Sequence, residues 1–292
     1  MRASRAFHAM LGILMALLMV GPVAAQERAT VVPAEQRTEV LAQVSVDALP
    51  SPHAEVWFLR FMLEPGGSLP LDVQIGPTVM AVEAGVLTLV TDQPVEIDGA
   101  TATATVASAG QVVYVHKGTA LAARNDGDVS VSFLTLLTFS GVEEVEQQQA
   151  TGDTPQAEPI GFTQMPIGLT AAEFSEGPGT ITIERVVLDP NATARTDVPG
   201  GAIAGGIEQG SVTVTVDSGN GFVWQDMMQP LGPQGGSRPP RRADVVAGDS
   251  GDLVANDSFG FWNAGVGWQA GDDGATILQA RIEPLATATP VS

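Results

Sequence analysis

Apolar and polar residues follow the two-residue period of β-strands along most of the chain, and helical periodicity is nearly absent. Short runs rich in Val, Thr, Ile and Leu recur between Gly, Pro, Asp and Asn residues, which favour turns. Strands of this length and spacing are typical of an antiparallel sandwich or barrel, so the predicted fold class is all-β. The pattern predicts strands at 55–63, 86–90, 111–115, 129–137, 180–188 and 211–216.

The strand pattern also repeats itself after 125 residues. Residues 60–90 align with residues 185–215 without a gap, and nine of the 31 positions are identical. Such self-similarity indicates a duplicated unit. Glycine recurs at tight turns because it adopts positive φ angles at little cost. The repeated pairs include Arg60/Arg185, Pro65/Pro190, Asp72/Asp197, Gly76/Gly201, Glu83/Glu208 and Gly85/Gly210.

The segments around the two units have distinct compositions. Residues 1–25 carry two arginines, then an apolar stretch, then small residues ending at Ala25, which is the layout of a cleaved signal peptide. This predicts a secreted, extracytoplasmic protein, with an uncleaved N-terminal anchor as the alternative. Gly and Pro content predicts a long loop at 219–242, either a functional lid or, as the composition favours, a disordered segment. The predicted domains are a first barrel at 26–142, an acidic Gln-rich linker at 143–160, a second, degenerate barrel at 161–286 and a tail at 287–292.

The charge, hydropathy and cysteine content of the chain exclude several kinds of partner and of covalent stabilisation. The chain has 33 acidic and 13 basic residues, a formal net charge of −20. Such a surface repels phosphate backbones, so we predict no nucleic-acid partner. Beyond the leader no stretch is long and apolar enough for a membrane span in the mature chain. With no cysteine there are no disulfides, and the cores themselves must stabilise the fold.

Two glycine-framed segments resemble the signatures of the cupin superfamily. Residues 66–85 (GGSLPLDVQIGPTVMAVEAG) resemble the first, which has a glycine, a His-x-His pair, a glutamate and a closing glycine. Residues 110–125 (GQVVYVHKGTALAARN) resemble the second, which ends in His and then Asn. The resemblance covers residues 55–142 and, through the repeat, 175–285. It implies two tandem cupin-like jelly-roll β-barrels, and a homodimer paired through outer strands.

The family's usual metal is held by three histidines and a glutamate, and the matching positions of this chain hold other residues. Asp72 and Gln74 stand at the first two histidine positions, Thr78 at the glutamate and Leu121 at the last histidine. After the leader the chain has two histidines and no cysteine, whereas borderline metals favour imidazole or thiolate ligands. We therefore predict no metal site and no cofactor. The corresponding positions of the second half are Asp197, Pro199, Ile203 and then Asn263 or Trp262.

The replaced positions predict a polar pocket. Asp72, Gln74 and Thr78 alternate along strands and so face one interior, where Leu121 and His116 complete the candidate ligand pocket. The cluster can bind a small polar ligand such as a sugar or organic acid, or form a self-satisfied polar core. His116 is either a general base at the barrel mouth or an exposed turn residue. No catalytic residue is identifiable.

Arg60 and Arg185 occupy equivalent apolar strands, and Glu83 and Glu208 recur with them. A buried guanidinium needs a partner, which predicts an Arg–Glu pair across neighbouring strands in each barrel. The alternative is an arginine that grips a substrate carboxylate. Taken together, the sequence predicts a non-enzymatic module that binds a small polar ligand or has a structural or sensory role. The alternative is a metal-independent enzyme acting on a carbohydrate or small organic acid.

Overall fold

Sixteen β-strands account for most of the described chain, which in this computed structural model comprises residues 35–50, 53–102, 106–140, 160–174, 177–225 and 241–285. These residues contain no helix, and so none that is long and apolar enough to cross a membrane. The predicted signal peptide (1–25) and tail (287–292) lie outside the described residues, as does the predicted linker apart from its last residue.

The strands have the following bounds. They are β1 (Gln36–Val46), β2 (Ala54–Val73), β3 (Thr78–Ala84), β4 (Val86–Thr91), β5 (Val95–Ile97), β6 (Ala100–Ala102), β7 (Val106–Ser108), β8 (Val112–Val115), β9 (Ala120–Arg124), β10 (Val131–Ser140), β11 (Ile160–Ala172), β12 (Gly179–Leu188), β13 (Thr193–Gln225), β14 (Arg241–Val246), β15 (Ser250–Val254) and β16 (Ser258–Pro284).

The strands form two sheets whose pairings are all antiparallel. The first has ten strands in the order β6-β5-β8-β3-β10-β2-β9-β4-β7, with β11 also paired to β2. The second has six in the order β1-β12-β16-β13-β14, with β15 also paired to β13. Both β13 and β16 bend, so that they pair with each other in several separate stretches. The predicted all-β fold of two jelly-roll barrels is confirmed.

Each sheet is completed by a strand from the other half of the chain. Strand β1 pairs with β12 of the second sheet along its whole length, from Gln36 opposite Leu188 to Val46 opposite Gly179. Strand β11 pairs with β2 of the first sheet. Sheet membership therefore does not follow chain order, although the domain boundaries at 142 and 161 stay a prediction.

Three apolar clusters fill the structure. One cluster lies inside the barrel that the first sheet forms and includes Leu63, Leu89 and Phe133. Another lies inside the barrel that the second sheet forms and includes Phe259 and Phe261. The third cluster takes residues from both sheets, so it joins them. Its members include Val56, Phe58, Leu134, Leu136, Ile181, Ile183, Leu278 and Ile282.

The predicted loop at 219–242 is partly wrong. Residues up to Gln225 belong to β13 and those from Arg241 belong to β14, and the two arms pair as a hairpin. Phe222 and Trp224 stabilise this hairpin edge to face, and the guanidinium of Arg242 lies 4.3 Å from the Phe222 ring centroid. Residues 226–240 lie outside the described residues.

Candidate functional site

A cavity of about 230 Å³, called the first cavity below, opens inside the first barrel. Four of the five residues predicted to form the ligand pocket line it. They are Asp72, Gln74, Thr78 and Leu121. The remaining wall consists of Phe61, Leu69, Pro70, Met80, Ala123, Phe133, Thr135 and Leu137.

Strand pairing brings the predicted residues together. Asp72 of β2 lies opposite Leu121 of β9, so the two signatures meet across one strand pair. Gln74 follows the end of β2, where its backbone N–H donates to the carbonyl of Thr119 at 2.9 Å. Thr78 opens β3 and is buried. The framing glycines of the two signatures thus place the four side chains around one space.

The polar groups of the first cavity partly satisfy one another. The Thr78 hydroxyl donates to Gln74 Oε1 at 2.9 Å, and Gln74 Nε2 lies 3.4 Å from the backbone carbonyl of Asp72. Asp72 itself is exposed at the mouth. Thr78 and Gln74 are paired, as expected for a self-satisfied polar core, whereas Asp72 faces solvent, as expected for a ligand pocket.

Thr135 is a cavity residue that the sequence reasoning missed. It is only 5 % exposed, and its hydroxyl oxygen has no hydrogen-bond partner within the described part of the chain. Residues 133, 135 and 137 share one strand face, and all three line the first cavity. The alternation within the predicted strand 129–137 was the signal that could have found it.

His116 lies away from the first cavity. Its Nε2 is 3.4 Å from Glu96 Oε1, and its ring meets Tyr114 edge to face at 4.7 Å. It lines a separate depression of about 630 Å³ with Asp47, Tyr114 and Lys117. Burial, together with the nearby carboxylates of Asp47 and Glu96, raises the pKa of Tyr114. The structure therefore does not bring His116 to the other four predicted residues.

The residues of the first cavity do not fit the metal that the family resemblance implies. Gln74 Oε1 already accepts a hydrogen bond, and Leu121 belongs to the apolar cluster inside the barrel. Asp72 is then the one carboxylate of the wall. No group of three or more His, Cys, Asp or Glu side chains suited to a metal occurs among the described residues. Borderline metals favour imidazole or thiolate, so we derive no step through a metal.

In the second half, strand register identifies the fourth ligand position differently from the sequence. As Asp72 lies opposite Leu121, so Asp197 lies opposite Gly265. The sequence-based choice of Asn263 or Trp262 is wrong, because the counterpart of the second signature begins at Asn256. The backbone N–H of Asn256 donates to the carbonyl of Ile207, as that of Gly110 donates to the carbonyl of Val82 in the first half.

The two repeated arginines hold the halves of the molecule together. Arg60 donates to Glu83 through Nε at 2.8 Å and to Glu208 through Nη2 at 2.6 Å. Arg185 donates to Glu208 through Nε at 2.7 Å and to Glu83 through Nη2 at 3.2 Å. The predicted Arg–Glu pair occurs in both barrels, and each arginine also bonds the glutamate of the other half. The two strands that carry each pair are not neighbours, because β10 separates them in the first sheet and β16 in the second. We call these four residues the ion cluster.

The ion cluster shifts the pKa values of Arg60, Arg185 and Glu208 in the direction that favours their charged forms. Burial alone lowers the pKa of Arg60, but hydrogen bonds to Glu83 and Glu208 outweigh it and raise that pKa. The hydrogen bond to Glu208 raises the pKa of Arg185 despite burial. Burial pushes the pKa of Glu208 up, yet the two guanidiniums outweigh it and the pKa is lowered.

Comparison with known proteins gave similarity of fold. No protein-family model matches the chain, and no curated protein matches it. An 11S globulin from Wrightia tinctoria superposes with a TM-score of 0.41 at 13% identity, covering 87% of this chain and 85% of that one. YhaK from Escherichia coli gives 0.33 at 12%, covering 86% and 94%. A deletion mutant of Bacillus subtilis oxalate decarboxylase gives 0.38 at 13%, covering 78% and 68%.

The assignment of the fold rests on the strand order and on the internal repeat.

Proposed function

We propose that the protein is a secreted, non-enzymatic module that binds a small, mainly apolar molecule with one neutral polar group inside the first barrel. The observation that carries this proposal is the unpaired Thr135 hydroxyl in the wall of a mostly apolar cavity. A buried hydroxyl without a partner is costly, and a ligand that pairs with it removes that cost.

The wall of the first cavity favours this kind of ligand over a sugar or an organic acid. Eight of its twelve residues are apolar, so a molecule with hydroxyl groups on every side would leave several of them unpaired. The carboxylate of Asp72 at the mouth disfavours an anionic ligand. The volume of about 230 Å³ is below the roughly 300–1,000 Å³ of pockets for drug-sized molecules, so the ligand is small.

The residues around the first cavity support binding rather than catalysis. General acid–base catalysis needs positioned groups that exchange protons with the reacting molecule. Asp72 is the one ionisable side chain of the wall, and it is exposed. His116 lines a different depression. No pair of acid and base therefore faces this cavity within the described residues.

The test compares ligands and two variants of Thr135. Phenol, benzyl alcohol and hexanol are the neutral probes, with glucose and benzoate as polar and anionic comparisons, in thermal-shift and calorimetric titrations. We expect the neutral alcohols to bind best, and Thr135→Val to weaken them about five- to ten-fold through loss of one hydrogen bond. Thr135→Ser keeps the hydroxyl and is the matched control, with affinity close to that of the wild type.

Three results would contradict the proposal. They are the absence of binding by any neutral alcohol, equal affinity in Thr135→Val and Thr135→Ser, and benzoate binding more tightly than benzyl alcohol. Chemical conversion of a bound probe, checked by chromatography after long incubation, would favour a metal-independent enzyme instead.

Secretion is a separate part of the proposal and rests on the composition of residues 1–25. We expect the protein to accumulate outside the cytoplasm with an N-terminus near Gln26. N-terminal sequencing of the protein from cell fractions checks this, and an intact Met1 on membrane-bound protein would instead indicate an uncleaved anchor.

A further inference from the structure

The second barrel contains a cavity of about 310 Å³, called the second cavity, at the place equivalent to the first. The equivalence follows from strand register, since Arg60 lies opposite Leu134 and Arg185 lies opposite Leu278. The neighbouring wall residues then correspond as Phe133 to Ile277, Thr135 to Gln279, Leu137 to Arg281, Leu69 to Ala194 and Asp72 to Asp197.

The chemistry of the wall is reversed between the two cavities. Eight of the twelve residues around the second cavity are polar or charged, whereas eight of twelve around the first are apolar. Gln36 and Thr38 of this wall belong to β1, the strand supplied by the other half of the chain. The second cavity is therefore not a decayed copy of the first, and both halves of the chain contribute to it.

A buried polar network forms one side of the second cavity. Gln279 is 2 % exposed and donates through Nε2 to Glu184 Oε1 at 2.7 Å. Arg281 Nε lies 2.8 Å from the same oxygen and Arg281 Nη2 donates to Glu184 Oε2 at 3.4 Å, so the guanidinium and the carboxylate form an ion pair. Gln279 Oε1 has no donor among the described residues.

The orientation of the Gln279 amide is fixed by Glu184. If the amide were turned over, its oxygen would face the carboxylate oxygen that it now donates to, which is unfavourable. The unpaired acceptor is therefore a property of the site. The wall therefore offers an unpaired acceptor on Gln279, and a hydroxyl group of a ligand can satisfy it by donating a hydrogen bond.

The charges of the second cavity favour a neutral ligand. Its wall has two guanidiniums and two carboxylates, and these are paired as Arg281 with Glu184 and Arg195 with Asp197. An anion would meet the carboxylates and a cation the guanidiniums, so neither gains a free counter-charge. Trp268 also lines the wall, where it donates its indole N–H to Thr196 at 3.2 Å, and its ring packs against Phe259 in the apolar cluster.

We propose that the second cavity binds a neutral molecule rich in hydroxyl groups, of about monosaccharide size, through the unpaired oxygen of Gln279 and the hydroxyl group of Thr38. This assignment is independent of the ligand proposed for the first cavity. It gives the molecule two sites of opposite character, one in each barrel.

The experiment uses sugars matched in size but not in charge. Glucose and myo-inositol are the neutral probes, gluconate and glucosamine are the charged ones, and affinity is measured by calorimetry on the full-length protein. We expect the neutral probes to bind at least about ten-fold more tightly than the charged ones. Gln279→Met and Thr38→Val should each lower the affinity for glucose, and Gln279→Met should lower it by about ten-fold. Thr135→Val, at the equivalent position of the first barrel, should leave glucose affinity within about two-fold.

A measurement on the wild-type protein keeps the test decisive if Gln279→Met fails to fold. The chain has four tryptophans, and glucose should shift the indole N–H resonance of Trp268 more than those of the other three. The proposal is overturned if neutral sugars fail to bind at tens of millimolar, or if gluconate or glucosamine binds more tightly. It is also overturned if Thr135→Val abolishes binding while Thr38→Val does not, since the sugar would then occupy the first cavity.

Discussion

Glycine recurs in the two halves of the chain for two different physical reasons. Gly85 and Gly210 have φ angles of 79° and 75°, the left-handed region that side chains disfavour. Gly76 and Gly201 instead allow a close approach of strands. A Cβ atom at Gly76 would overlap the carbonyl oxygen of Thr138, and one at Gly201 would overlap that of Ile282. The sequence reasoning assigned all four to turns, which explains only the first pair.

Replacement of Gly76 by alanine should therefore destabilise the first barrel. The added methyl group meets backbone rather than a flexible side chain, so the strands must move apart. We expect a loss of about 1–3 kcal/mol in the free energy of unfolding, measured with urea. Gly251→Ala is the matched control because its Cβ would have no neighbour within 4 Å, and equal losses in both variants would contradict the argument.

The sequence predicts those residues of the candidate site whose positions follow from the spacing of the two signatures. Asp72, Gln74, Thr78 and Leu121 follow from that spacing, and all line the first cavity. The spacing says nothing about residues that other strands bring to the same wall. Thr135 comes from β10 and was missed. His116 was included because it lies within the second signature, but its side chain lines another depression.

At the scale of elements, alternation predicted the strands but not the exchange between sheets. The strands predicted at 55–63 and 180–188 lie within β2 and β12. A two-residue period shows which face of a strand is buried, but it does not identify the partner strand. Strands β1 and β11 each lie in sequence beside one barrel and pair with the other, and no local pattern distinguishes the two arrangements.

Because β1 pairs with the second sheet, a destabilising substitution in β1 should destabilise that sheet. Ala42 is 3 % exposed and belongs to the cluster that joins the sheets, whereas Val40 of the same strand is 57 % exposed. Ala42→Asp places an unpaired charge in that core and should cost about 3 kcal/mol or more, with faster amide exchange in β12. Val40→Asp is the control and should change neither quantity much. Faster exchange confined to the first sheet after Ala42→Asp would contradict the exchange.

At the scale of the whole molecule, the ion cluster relates the two halves by approximate two-fold symmetry. Each arginine bonds the glutamate of its own barrel and that of the other, so four charged groups satisfy one another beside the apolar cluster that joins the sheets. Removal of one partner leaves a half-buried charge with fewer bonds, which costs more than loss of an exposed ion pair. Duplication of a single Arg–Glu pair is thus sufficient to generate this arrangement, and the repeat in sequence explains it.

The ion cluster makes stability depend on acid in a defined direction. The pKa of Glu208 lies below its ordinary value of 4.5 in the folded protein, so folding favours the carboxylate form. Its contribution to the free energy of unfolding is complete above the ordinary pKa and is lost as the pH falls through the lowered one. Glu208→Gln should consequently be less stable than the wild type at about pH 6, and the difference should shrink towards about pH 3.

The control for this measurement is Glu39→Gln, because Glu39 is exposed and contacts the same Arg185 at 3.4 Å. Its stability difference from the wild type should be small at every pH, since an exposed pair contributes little. Urea unfolding at several pH values checks both variants. If the Glu208→Gln difference stays constant across the range, its carboxylate does not gain stability from the two arginines, and the apolar cluster alone holds the halves together.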